Sequence, residues 1–149
     1  CMGKASNPIC FYWRSLSPFK IVNLKFFIRC NVMKKISSPS IIESAGNKPK
    51  VIKEYIGRVN SSTDSISIAK MSSPPGWEEP GQKPQFDEYT LVLNGTLKVE
   101  SRTKTVFIKE GEAVIVNSGE WVQYSTPNEG AEYIAICLPA FSLDTVNRN

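Results

Sequence analysis

The 149-residue chain contains no histidine. That absence removes the commonest general base, the commonest nitrogen ligand for a metal, and the side chain that ordinarily titrates near neutral pH. Long apolar runs are missing too: none approaches the roughly 18 residues that a membrane span needs. Cysteine is scarce where a fold would use it. Of four cysteines, Cys1, Cys10 and Cys30 lie in the first 30 residues and only Cys137 lies beyond. No paired spacing suggests zinc, and no disulfide framework is possible. The expected home is a reducing compartment, the cytoplasm. Acidic residues are absent from the first 42 positions, which hold seven of the 18 basic ones; residues 43–149 therefore carry 11 basic and 14 acidic side chains, a net of −3. The pI near 8.9 reports the leader, and the remainder does not read as a nucleic-acid binder.

What is present has the punctuation of an all-β domain. Residues 1–36 form an irregular N-terminal extension. It is basic, serine-containing and acid-free, as targeting segments are. Met33-Lys34-Lys35 also resembles an ordinary start, so a chain beginning at Met33 is expected to fold as well as the full one. Residues 37–50 read as a linker broken by Pro39, Gly46 and Pro49. From Val51 short apolar runs alternate with turn residues: "VIKEYIGRV", "SISIAKM", "EYTLVL", "TLKVES", "TVFIK", "EAVIV", "WVQYS" and "EYIAICL". Eight short strands at this spacing predict a sandwich or barrel over 51–143, followed by a tail over 144–149. Ser72–Gln85 holds four prolines and two glycines and reads as a long loop that walls a site. Asn94-Gly95 predicts a two-residue hairpin, because both residues tolerate positive φ.

Two segments resemble the paired motifs of the cupin family. Glu88, six residues and Gly95 match the end of the first motif. Gly111, "EAVIV", Asn117, Ser118, Gly119, "EW" and Val122 follow the spacing of the second. The resemblance covers roughly Val51 to Leu143. It implies a double-stranded β-helix, or jelly-roll, barrel. The histidines that hold a metal in many cupins are not there. The first pair would fall near Gly81 and Lys83, or Gln82 and Pro84, and the third falls at Val122. Only Glu88 remains of the usual four ligands, so no metal and no cofactor is expected. An oxygen-rich site around Gln85, Asp87 and Glu88 is the alternative, and metal analysis of dialysed, tag-free protein separates the two. "FDEYTLVLNG" and "GEWVQYSTP" are most similar to histidine-poor cupins such as the ethanolamine-utilization cupin.

The resemblance implies that Glu88 points into the barrel, and alternation then sends Thr90 and Val92 the same way. Val122 and Tyr124 share a face, and Trp77 on the long loop is placed to close the mouth. The expected site is a pocket lined by Trp77, Gln85, Glu88, Thr90, Val122 and Tyr124 that binds a small organic molecule. A desolvated Glu88 carboxyl would have a raised pKa unless Lys83 or another cation pairs with it. A second reading is an isomerase, epimerase or lyase in which Glu88 is the base and Tyr124 the acid. Tyr89, Leu91 and Leu93 fall on the outer face. That apolar row predicts a homodimer through the same face of two copies.

Overall fold

Alternating apolar residues set nine strands, and no helix forms among the described residues, which run from 33 to 148 in this computed structural model. The expectations for residues 1–32 lie outside that range. The strands are β1 (Ser40–Ile42), β2 (Val51–Ile56), β3 (Ser67–Ser73), β4 (Trp77–Glu78), β5 (Asp87–Ser101), β6 (Thr105–Lys109), β7 (Ala113–Val116), β8 (Val122–Thr126) and β9 (Ala131–Leu138). All pairings are antiparallel, and the sheet runs β1-β2-β3-β9-β5-β8-β4, with β6 and β7 also pairing to β5.

One expectation about β5 is corrected. The chain does not reverse at Asn94-Gly95; β5 runs through it as one strand of 15 residues. The register against β9 slips between Val92 and Asn94, which is a β-bulge. Up to Gly95 β5 pairs with β9, and with β7 over Glu88–Leu91, in one sheet; from Thr96 on it pairs with β6 and β8 in a second. Gly95 has φ 77° and lies against the Gly130 carbonyl, where a Cβ would collide. The positive-φ preference that suggested a hairpin turns the strand from one sheet into the other instead. That corner closes the two sheets around a core of Trp77, Val92, Leu97, Val99, Val122, Tyr124 and Tyr133.

Strand alternation decides what faces that core. On β9, Ala131, Tyr133, Ala135 and Cys137 are buried while the residues between them are not. On β3, Ser67 and Ala69 point the same way. Small inward residues at Ser67, Ala69 and Ala135 leave a space that larger ones would fill. Outside, Tyr89, Leu91 and Leu93 are 38%, 43% and 41% exposed. Ile115 and Ile136 flank Tyr89 in register, and Ala113 and Ile134 flank Leu91.

The stretch from 37 to 50 is built into this fold. It supplies β1, and Asn47 is tied to β4 and to the residue before it by three hydrogen bonds: its amide donates to the Glu78 carbonyl (3.0 Å), its side-chain oxygen accepts from Glu78 N (2.9 Å), and its side-chain nitrogen donates to the Gly76 carbonyl (3.1 Å). The Trp77 indole donates to the Ala45 carbonyl at 3.2 Å. Lys50, at the end of this stretch, is thereby carried over the barrel interior.

Candidate functional site

The interior space is a cavity of about 60 Å³. Three strands and the segment after β4 supply most of its polar groups. Glu88 comes from β5, Tyr124 and Tyr133 from β8 and β9, and Glu79 and Gln82 from the Pro-rich segment after β4. That segment runs alongside β8: Glu79 N donates to the Tyr124 carbonyl (3.2 Å), and Gln82 and Val122 exchange two backbone bonds of 2.9 Å. Gln123 fastens it from the side, its amide donating to the Glu79 carbonyl at 2.9 Å. Lys50 completes the set. Its ammonium lies 3.7 Å from Glu79 Oε2, donates to Tyr133 Oη at 3.3 Å and sits 3.9 Å from the Trp77 ring centre. Tyr133 Oη is in turn 3.2 Å from Ser73 Oγ.

Burial sets the electrostatics. Desolvation pushes Glu88 from the ordinary 4.5 up to about 7; the neighbouring Glu79 carboxylate adds to the rise, while Lys50, Thr90 and Tyr124 act against it. Glu79 is also raised by burial, against the pull of Lys50 and Arg148. Burial opposes the charge on Lys50, but the attraction of Tyr133, Glu79 and Glu88 outweighs it and lifts the lysine above its ordinary value. Burial holds the Tyr124 phenol well above its usual range, with Glu88 and Glu79 adding to the shift. The Cys137 thiol is pushed up by burial and then by Glu88, so it is no thiolate nucleophile.

Three buried polar atoms on this cavity have no hydrogen-bond partner among the described residues: Glu79 Oε1, Gln82 Oε1 and Tyr124 Oη. Buried polar groups are nearly always paired. Three orphans around one space are what a ligand or ordered water would satisfy.

The residues expected from the sequence divide as follows. Glu88 and Tyr124 line the cavity. Thr90 is buried and donates to Glu88 Oε1 at 3.4 Å. Trp77 is fully buried beneath Lys50 rather than standing at a mouth. Val122 is in the core. Gln85 is exposed, and only its backbone is engaged, donating to the Thr145 carbonyl. Asp87 is only half-buried and accepts from Ser118 N at 2.8 Å, so the oxygen set Gln85, Asp87 and Glu88 is not brought to one point. Lys83 is exposed; the cation beside Glu88 is Lys50. Sequence reasoning missed Lys50, Glu79 and Tyr133. For Tyr133 a signal existed in "EYIAICL", where one alternate row is Tyr, Ala and Cys. A linker lysine and a loop glutamate carry no comparable signal.

This architecture is the cupin fold, with a charged and hydrogen-bonding cavity where many such barrels place a metal. The residues do not fit a transition metal. Val122 offers no donor atom, the described residues hold no cluster of metal-ligating side chains, and a buried ammonium occupies the cavity wall. Among solved structures, the chain is similar to ethanolamine utilization protein Q of Salmonella typhimurium (18% identity, 69% of this chain and 97% of that one, TM-score 0.55). It is also similar to a cupin-like protein of Thermotoga maritima (15% identity, 73% and 81%, TM-score 0.58). Among curated proteins it is 43% identical over 93 residues to an endoribonuclease YbeY of Myxococcus xanthus. That match covers 62% of this chain but only 32% of the relative, so the chain spans about a third of its length. No family model matches the chain. No helix among the described residues is long and apolar enough to cross a membrane.

Proposed function

We propose that this barrel binds a small organic molecule in its interior without a transition metal. The observation that carries the reading is the convergence of Glu79 Oε1, Gln82 Oε1 and Tyr124 Oη, all buried and unpartnered among the described residues, on one cavity. Each orphan costs on the order of 1–3 kcal/mol when left unsatisfied, a cost that a bound molecule removes. The protein acts as a homodimer through the Tyr89–Leu91–Leu93 face, in the cytoplasm, where the buried free Cys137 stays reduced. The endoribonuclease activity named for the Myxococcus relative is not carried over. The shared segment is a third of that protein, and a net charge of −3 over residues 43–149 has the wrong sign for a phosphate backbone. Native mass spectrometry of gently purified full-length protein tests the reading. It predicts a retained small molecule, or uptake of one from a metabolite mixture that Tyr124→Phe weakens. Protein that takes up nothing, with or without the substitution, refutes it.

A catalytic reading rests on one further observation. Glu88, with a pKa of about 7, is poised to take or give a proton at neutral pH, and Tyr124 is an unused hydroxyl beside it. An isomerase, epimerase or lyase would use Glu88 as base and Tyr124 as acid. Deuterium exchange from D2O into hydroxy-carbonyl compounds, lost in Glu88→Gln, is the expected result. Equal exchange in the variant removes Glu88 from the chemistry.

A further inference from the structure

The cavity's own groups restrict what it can take, given the binding reading above. Among the described residues, Glu79 Oε1 and Gln82 Oε1 are acceptors that lack donors, and Tyr124 Oη, close to Glu88, is a hydroxyl with no hydrogen bond of good geometry. The occupant must therefore bring at least two O–H or N–H donors and one acceptor. Charge then decides among the candidates. An anion finds no free buried cation among the described residues. Lys50 is engaged by Glu79 and Tyr133 and packed against Trp77. Arg148 and Glu43 are exposed at the rim, and three buried glutamates line the space: Glu79, Glu88 and Glu54, whose carboxylate accepts from the Val59 and Asn60 amides. A cation fares no better. The charge of Glu79 is already matched by Lys50 at 3.7 Å, the desolvated Glu88 carboxyl keeps much of its proton near pH 7, and an incoming ammonium would share the cavity with that of Lys50. Like charges at such separation are costly in a dry interior. An uncharged hydroxyl compound avoids both penalties, since each of its oxygens both donates and accepts.

We propose that the cavity binds a small uncharged molecule with at least two hydroxyls, a small polyol or hydroxy-carbonyl compound. Two of its hydroxyls donate to Glu79 Oε1 and Gln82 Oε1, and Tyr124 Oη donates to a third oxygen. Glu88 lies within the same space.

The test is calorimetric titration of the full chain, prepared without glycerol, with glycerol, dihydroxyacetone, glycerate and 2-amino-1,3-propanediol. These probes share a three-carbon frame and differ in charge. Saturable binding is expected for an uncharged probe, at least about tenfold tighter than for either charged one. Tyr124→Phe and Gln82→Leu should each weaken that binding about tenfold. The melting temperature of the free protein should hold or rise, because each substitution removes an orphan. Tightest binding of glycerate or the amine overturns the charge argument while leaving a ligand-binding cavity. Binding of the uncharged probe that neither substitution weakens overturns the contacts. If no probe saturates and native mass spectrometry finds no retained molecule, the ligand-binding reading falls with this one.

Discussion

Glu88→Gln isolates the cost of placing a carboxylate in the barrel. Burial lifts the Glu88 pKa from 4.5 to about 7, so the folded protein holds a proton that the unfolded chain releases. The contribution to stability is therefore fully present below about 4.5 and is lost as pH rises toward 7. A shift of this size corresponds to about 3 kcal/mol once both states are ionised. Glutamine is nearly isosteric, carries no charge at any pH and keeps an oxygen for the Thr90 hydroxyl. The variant should gain little at pH 5, where most of the native carboxyl is protonated, and should be the more stable protein at pH 8. The gap between variant and wild type should widen by about 2 kcal/mol between those values. For a domain of this size that is several degrees in melting temperature. Urea denaturation of both proteins at pH 5 and pH 8 measures it, and the titrating groups that do not interact with Glu88 cancel in the comparison. A gap that does not change with pH would refute the claim that Glu88 is desolvated and raised.

Lys50→Met leaves Glu79 buried without its cation. The expected loss is about 3–5 kcal/mol at pH 8, shrinking toward pH 5 as Glu79 takes up a proton; a loss below about 1 kcal/mol by urea denaturation would show that the pair does not hold the cavity wall. Gly95→Ala forces a side chain to φ 77° and into the Gly130 carbonyl, and should cost about 1–3 kcal/mol in the same assay; a neutral result would contradict the tight corner in β5. Leu91→Lys should convert a dimer to a monomer or an aggregate without changing strand content by circular dichroism; light scattering that finds the unmodified protein monomeric at tens of micromolar refutes the interface on this face.

The strand pattern, the inward Glu88 and Tyr124 and the apolar outer row of Tyr89, Leu91 and Leu93 were all legible in the sequence. The alternation follows from a period of two, which is a local property of the chain; which face points inward at Glu88 rests on the resemblance to cupins. The missing histidines were legible too, since an absent side chain needs no fold to be noticed. Tertiary structure alone decided the rest. Asn94-Gly95 has the same positive-φ preference in a hairpin as in a bulge, and only the partners on either side settle that β5 bends rather than reverses. Lys50 sits in a stretch without strand period. It reaches the interior because Asn47 and Ala45 anchor that stretch to β4 and Trp77, contacts 29 to 32 residues apart in the chain. Glu79 becomes a buried acid only because its loop pairs with β8. The pairing of a distant lysine with a loop glutamate depends on closure of the barrel, and no local pattern encodes closure.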